Sequence, residues 1–199
     1  SDVCSSDLQM AIYFPIGGAA FNESVSLTPS NNMYLPSNGE LAFEFKEDLV
    51  LGLYKLTSST EDGKARVYEC IPKSIHARMK KYIDKGLSGK VLTDMFYEMV
   101  DCLEQEELMK TINKLAKLSH NEAKIAISVV DFATAEPGDK SNPVSLMVDA
   151  GARGKWEQVY QIKSSNGFVS DVEGKIIPTP ITSSLLDGLT PKEYFYSSY

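Results

Sequence analysis

The sequence predicts an α+β fold, a mixed and irregular arrangement in which strands accompany a helical hairpin and a C-terminal β-hairpin loop. Three patterns predict it. Apolar residues alternate with polar ones in 41–45, apolar residues recur with helical spacing in 91–103, and a glycine-centred turn at 172–175 separates two apolar pairs. With 199 residues, of which 43% are hydrophobic, the chain can bury a core in one or two domains.

Strands are predicted mainly in the first half of the chain. A turn dipeptide at 38–39 precedes the alternating residues 41–45, which suit a half-buried strand. The apolar run 49–56 is consistent with a strand or with a short buried helix, because periodicity alone does not separate the two. Residues 58–64 predict a polar loop, and 66–71 predict another strand.

Helices are predicted over 75–83 and in a helical hairpin that follows Ser88, a plausible N-cap. The apolar residues of the first hairpin helix are Val91, Leu92, Met95, Phe96, Met99, Val100 and Leu103. Those of the second are Leu108, Ile112, Leu115 and Leu118. Each set forms one stripe, which indicates core packing rather than a cofactor site. After the hairpin, Ser119-His120-Asn121-Glu122 matches a capping box, and the β-branched stretch 125–132 predicts a buried strand.

The C-terminal stretch 142–199 is punctuated by proline and glycine. Asn142-Pro143 favours the start of a turn, because the residue before a proline avoids the α region. Gly151 and Gly154 permit tight turns or close backbone approach. The stretch 155–162 suits a short helix with one apolar side, and the turn at 172–175 suits a hairpin.

Composition excludes several functions. A net charge of −7 provides no basic field for a protein that binds nucleic acid alone. Three separated cysteines predict neither a disulfide framework nor a zinc site. No apolar run reaches the roughly 20 residues that span a membrane. We therefore expect a cytoplasmic protein without a membrane partner. The Gly151 to Lys155 stretch does not match a phosphate-loop motif, because Asp149 stands in place of its first glycine and Trp156, not serine or threonine, follows the lysine. No nucleophilic triad surrounds either histidine, so we predict no catalytic or metal-binding residue in this chain.

Several motifs nevertheless resemble one known family. The matching stretches are Gln9 to Pro15, Asn31 to Glu40, Asp48 to Thr57, and a C-terminal set that includes Asn142-Pro143, Gly151-Ala152-Arg153-Gly154, Thr179-Pro180-Ile181-Thr182, Gly188-Leu189 and Tyr194-Phe195. In this order they resemble the largest (β′) subunit of bacterial-type DNA-directed RNA polymerase. The resemblance covers most of 9–57 and 87–199.

The resemblance implies a fragment that runs from just after the catalytic aspartate motif to just before the bridge helix. Residues 1–8 would be a non-native or disordered leader, 9–40 the end of the active-site domain, 41–86 the pore region, and 87–199 the funnel region. The nine residues 133–141 stand where the family carries two long rim helices, which are therefore expected to be missing.

The family's catalytic aspartates would fall on Cys4, Ser6 and Leu8, so the Mg²⁺ of the full enzyme would have its ligands outside this chain, which would be inactive alone. The resemblance implies the β subunit and the rest of β′ as partners, together with DNA template, RNA and nucleoside triphosphates. The expected role is to line the secondary channel and support the bridge helix. A complete small subunit of a split phage polymerase, or a non-catalytic interaction module, remains an alternative.

Five residues are expected along the substrate path: Arg153, Gln158, Gln161, Thr179 and Thr182. Arg153 would either cap local carbonyls or face the channel, and the two glutamines would contact the bridge helix or solvent. Nine further residues are expected to hold the structural motifs: Asn31, Asn32, Asn38, Gly39, Asn142, Gly151, Gly154, Gly167 and Gly174. The family's Gly-Met-Arg-Gly turn is here Ser164-Ser165-Asn166-Gly167, and a common arginine is Tyr160, so two channel cations are lost.

Overall fold

The computed structural model describes residues 14–28, 31–42 and 45–198, which form two units divided after residue 44. In the first unit, helix α1 (Gly18–Ser26) is followed by a turn at 36–39 and by a single bridge between Tyr34 and Leu41. The predicted leader 1–8 and the predicted strand residue Phe43 lie outside the described residues.

The second unit is helical. Its helices are α2 (Glu47–Ser59), α3 (Glu61–Cys70), a 3-10 turn (Lys73–Ile75), α4 (His76–Lys85), α5 (Gly89–Cys102), α6 (Gln105–Glu122), α7 (Val129–Thr134), α8 (Pro143–Asp149), α9 (Trp156–Lys163) and α10 (Pro191–Ser197). The helices predicted over 75–83, in the hairpin and over 155–162 are confirmed: they correspond to the 3-10 turn with α4, to α5 and α6, and to α9.

Helix α2 is the centre of this unit. It packs against α3, α4, α6 and α8, and it buries most of its surface, including Val50, Leu53 and Leu56. Gly52 is the point of closest approach to α6: a methyl group there would overlap the carbonyl oxygen and Oγ of Ser119. The Ser119 hydroxyl in turn contacts the carbonyl oxygens of Asp48 and Leu49 at 2.9 and 2.6 Å. The tight α2–α6 contact therefore depends on a glycine in one helix and a serine in the other.

The predicted α+β class is wrong. Within the described residues no strands pair into a sheet, and the only bridges are isolated ones. The run 49–56 lies in α2, where nearly every side is covered by other helices, so its continuous apolar character reflects burial all round. Residues 66–71 lie mostly in α3, and the expected loop 58–64 is reduced to Thr60, which ends α2 and caps α3 through its hydroxyl.

Two further predictions of local structure are corrected. The C-terminal β-hairpin is only a turn with one bridge between Ser170 and Ile176, tied by Asp171, whose side chain accepts the N–H groups of Glu173 and Lys175. The predicted buried strand 125–132 is an irregular segment followed by α7, and its side chains are largely exposed. The Ser119 capping box is also wrong, because Ser119 lies inside α6.

Candidate functional site

The C-terminal stretch begins at Asn142, which is buried and fully hydrogen-bonded. Its side-chain oxygen accepts the N–H groups of Val144 and Ser145, so it caps α8 where the sequence predicts only the start of a turn. Its amide nitrogen donates to the Asp131 carbonyl and to the Thr134 hydroxyl, both on α7. One side chain therefore starts α8 and fixes it against α7 across the short 135–142 connection.

A small apolar core supports this arrangement. It joins α7, α8 and α9 through Phe132, Ala135, Val144, Val148, Trp156 and Val159. The Trp156 indole N–H donates to Asp149 Oδ1 at 2.9 Å, and the other oxygen of Asp149 accepts the Gly138 N–H. The connection between α7 and α8 is thus held by the small apolar core and by the hydrogen bonds of Asp149.

The turn after α8 places Arg153. Gly151 takes a positive φ of 68°, which favours glycine, and the chain reverses there. Arg153 then reaches the first turn of α2, where its guanidinium lies 3.0 Å from a Glu47 carboxylate oxygen and 3.8 Å from an Asp48 oxygen. Of the two roles expected for Arg153, carbonyl capping is not what the side chain does: its contacts are carboxylates.

Arg153 also lines a cleft of about 440 Å³. The cleft is lined by Glu47, Asp48, Leu51, His120, Ala123, Lys124, Ile125, Ile127, Met147, Ala152 and Arg153. Its lining includes apolar side chains and charges of both signs. The other four predicted substrate-path residues do not line it.

Replacing Arg153 with alanine is expected to lower the free energy of unfolding by less than about 1 kcal/mol. The reason is that both partners are about half exposed, at 47% and 53%, so water screens the pair. The change in the free energy of unfolding is measured by urea denaturation of the wild-type chain and of the Arg153→Ala and Glu47→Gln variants. A loss above roughly 2 kcal/mol would contradict this assessment.

The two glutamines and Thr179 occupy separate positions. Gln158 accepts the Lys155 N–H through its side-chain oxygen and so helps to start α9. Gln161, three residues further along α9, is exposed and makes no side-chain hydrogen bond within the described residues. Thr179 is exposed in the loop before α10. No hydrogen bond joins any two of the five predicted residues within the described ranges.

Thr182 belongs to a hydrogen-bond cluster around Glu193. The Glu193 carboxylate, 8% exposed, accepts bonds from the backbone N–H and the hydroxyl of Thr182, Ser183 and Thr190. These donors favour the ionised form, the Thr190 hydroxyl most strongly, and they hold the pKa of Glu193 far below its ordinary value of 4.5. The cluster ties the 182–190 loop to the start of α10.

Sequence reasoning missed this role of Glu193. The signal that could have found it is the Thr190-Pro191-Lys192-Glu193 stretch, which has capping-box spacing with proline at the first helical position. The further bonds to Thr182 and Ser183 could not have been found, because they depend on how the preceding loop folds back.

The structural-motif asparagines of the first unit act locally. Asn31 and Asn32 donate to the carbonyl oxygens of Val25 and Ser26 at the end of α1. Asn38 bonds both the backbone and the side chain of Glu40, in the predicted turn that Gly39 completes with a positive φ of 73°. The remaining motif glycines, Gly154, Gly167 and Gly174, also have positive φ.

Within the described ranges, no group of three or more His, Cys, Asp or Glu side chains is placed to hold a metal ion. None of the helices described is long and apolar enough to cross a membrane.

Comparison with known proteins identifies relatives of one kind. A DNA-directed RNA polymerase β′ subunit from Pelotomaculum thermopropionicum is 24% identical over 285 positions, which cover 96% of this chain and 24% of that subunit. The β′ subunit of Cutibacterium acnes is 48% identical over 60 residues, 30% of this chain and 5% of its own length. That of Clavibacter michiganensis is 39% identical over 95 residues, 48% of this chain and 6% of its own length. No protein-family model matches the chain.

These relatives define a class, the subunits of DNA-directed RNA polymerases. Within that class, the relatives named here are all β′ subunits, and the chain fits a fragment of such a subunit. It spans no more than about a quarter of the length of the relatives named here.

Proposed function

We propose that the chain contributes to DNA-templated RNA synthesis as part of a β′ subunit, by lining the secondary channel and supporting the bridge helix. The observation that carries this proposal is the similarity to a β′ subunit along 96% of the chain. In such an assembly the nucleotidyl transfer, its Mg²⁺ and the contacts with DNA, RNA and nucleoside triphosphates involve other polypeptide as well. A cytoplasmic location follows from the same proposal.

The surface of the C-terminal stretch supports an assembled state. Several large apolar side chains there are more than half exposed: Phe168, Val172, Ile176, Leu185 and Tyr194. Val172 and Ile176 flank the 172–175 turn, and their exposed fractions are 85% and 64%. Apolar surface gathered in one stretch is typical of an interface with another polypeptide.

The short connection between α7 and α8 supports the proposed absence of rim helices. Residues 135–142 join two helices that pack on each other through Asn142 and the small apolar core. The alignment with the P. thermopropionicum subunit extends over 285 positions, although this chain has only 199 residues, so that subunit carries additional residues within the aligned region. We propose that factors which dock on rim helices have no platform here.

Copurification tests the proposal. A tagged chain would be co-expressed with the β subunit of C. acnes and with the β′ polypeptide that flanks the matching segment, and we expect both to be recovered with the tag. The Val172→Asp variant should lose most of this recovery, because it places a charge in the exposed apolar surface. Ser170→Asp, which adds the same charge to a polar neighbour, serves as the matched control.

Three outcomes are informative. Recovery of β that Val172→Asp abolishes supports the proposal. A chain that recovers no polymerase polypeptide behaves as a separate interaction module and contradicts it. A chain that recovers β but excludes the flanking β′ polypeptide behaves as a complete small subunit of a split polymerase, the alternative that the sequence leaves open.

The isolated chain is expected to bind a hydrophobic dye such as 8-anilinonaphthalene-1-sulfonate while it keeps its helical circular dichroism. The reason is the exposed apolar surface of the C-terminal stretch. Dye fluorescence should fall when the partner polypeptides are added. A monodisperse monomer without dye binding would contradict the assembled state that we propose.

A further inference from the structure

The segment between α6 and α7, residues 123–128, has strand-forming residues but no strand partner. Within the described residues, the backbone N–H groups of Ile125, Ala126 and Ile127 donate no hydrogen bond, and their carbonyl oxygens accept none. Backbone groups left without a protein partner must be solvated, or else satisfied by another molecule. Three consecutive residues of this kind form a potential strand edge.

This edge runs along the cleft beside Arg153. Ile125 and Ile127 both line the cleft, whereas Ala126 between them does not. Side chains at i and i+2 share one face when the chain is extended, so the lining pattern indicates an extended backbone. Leu51, Ala123 and Met147 add apolar side chains to the lining of the same cleft.

The apolar surface continues beyond the cleft. Ile127 is 41% exposed, and Val129 and Val130 are 69% and 67% exposed. These residues also explain why the sequence predicts a buried strand over 125–132: the residue types suit a sheet interior, but no neighbouring strand covers them within the described ranges. Strand-forming residue types, unpaired backbone groups and exposed apolar side chains therefore occur together in 125–130.

The charges around the cleft restrict which segment can bind there. Glu47 and Asp48 on one side of the cleft are already engaged by Arg153. Lys124, on the strand edge itself, is exposed and its side chain makes no ion pair or hydrogen bond within the described residues. An occupant with a carboxylate opposite Lys124 would therefore be complementary in charge.

We propose that residues 124–128 bind an extended segment of another polypeptide by β-strand addition. The bound strand would exchange backbone hydrogen bonds with Ile125 to Ile127, insert apolar side chains at alternate positions into the cleft, and place an acidic side chain opposite Lys124. Main-chain bonds provide the affinity in this mode, and the alternate side chains provide the specificity. This inference does not depend on the polymerase assignment.

A synthetic peptide tests the proposal on the full chain. The probe is a fluorescein-labelled hexapeptide that alternates valine with threonine and has one aspartate. We expect saturable binding by fluorescence anisotropy at low chain concentration. Lys124→Glu should weaken binding about threefold, the size of a partly exposed ion pair. Lys117→Glu, an exposed lysine on α6 outside the cleft, should leave it unchanged.

Peptides with N-methyl groups test the backbone pairing directly. Adjacent residues of a strand direct their N–H groups to opposite edges, so only every second residue pairs with the chain. N-methylation of one alternate set should abolish binding, and N-methylation of the other set should be tolerated. Equal effects of the two sets would overturn strand addition, because side-chain contacts alone do not distinguish them in this way.

Hydrogen exchange identifies the occupant. All three amides of Ile125, Ala126 and Ile127 should exchange rapidly in the free chain. When the peptide saturates it, one alternate set, either Ile125 and Ile127 or Ala126, should become protected. Protection in the free monomer would show that another part of the same chain covers the edge, and would overturn the proposal. Protection that rises only with dimerisation would overturn it in favour of a second copy, and no protection with bound peptide would also overturn it.

Discussion

Replacing Gly52 with alanine is expected to lower the free energy of unfolding by roughly 3 kcal/mol. The added methyl group would overlap the carbonyl oxygen and the hydroxyl of Ser119, and both belong to the contact that holds α2 against α6. The carbonyl oxygen belongs to the backbone, so no rotamer change of Ser119 removes the overlap. The helices must move apart, and this disturbs the centre of the second unit and the Ser119 bonds to α2.

Urea denaturation monitored by circular dichroism measures this effect. Gly89→Ala is the matched control, because Gly89 also belongs to a helix of the same unit, but a methyl group there would meet its neighbours only at ordinary contact distances of 3.6 Å or more. The control is expected to be neutral or slightly stabilising. Unfolding of the two variants at the same urea concentration would contradict the close α2–α6 contact at Gly52.

Replacing Glu193 with glutamine is expected to release the 182–190 loop from α10. The ionised carboxylate accepts six hydrogen bonds from three residues, and a neutral amide can neither accept all of them nor match their strength. The amides of Thr182, Ser183 and Thr190 should exchange roughly tenfold faster or more, because local opening becomes easier. Glu173→Gln, at an exposed carboxylate in the 172–175 turn, should leave these amides unchanged.

The same carboxylate predicts a pH dependence with a definite sign. Its pKa in the folded chain lies below the ordinary value of 4.5, so it stabilises the loop fully above that pH. The stabilisation is lost progressively as the pH falls below 4.5 toward the folded pKa. Exchange of the Thr182 amide, corrected for its intrinsic rate, should therefore accelerate in acid in the wild-type chain but not in Glu193→Gln. The same profile in both would contradict the role of Glu193.

Local patterns in the sequence were sufficient where one face of a helix is buried and the other is solvated. The hairpin helices α5 and α6 and the short α9 have such stripes, and the structure confirms them. The same reasoning left 49–56 open between a strand and a buried helix, because a helix covered on nearly all sides has a continuous apolar run without a period. It failed for 125–132, where the residue types favour a strand but a strand needs a neighbour.

The predicted site residues also differ in how far the local sequence predicts their structure. The extended conformation of Asn142 and the turn at Gly151 follow from local chemistry, since a residue before proline avoids the α region and a positive φ favours glycine, whereas the helix α8 after Asn142 was not predicted. The partner of Arg153 does not, because Glu47 lies 106 residues earlier in the chain. Nor do the bonds from Thr182 and Ser183 to Glu193, which exist only because the loop before α10 folds back on it.

By itself, the sequence determined the amphipathic helices, the proline and glycine turns, and the kinship with β′ subunits, because each of these rests on residues close together in the chain or on motifs kept in order. The tertiary structure alone decided that the apolar runs become helices, that Arg153 meets carboxylates of α2, and that residues 125–127 present an unpaired edge. Those outcomes depend on which distant surfaces cover each segment, and no local pattern contains that information.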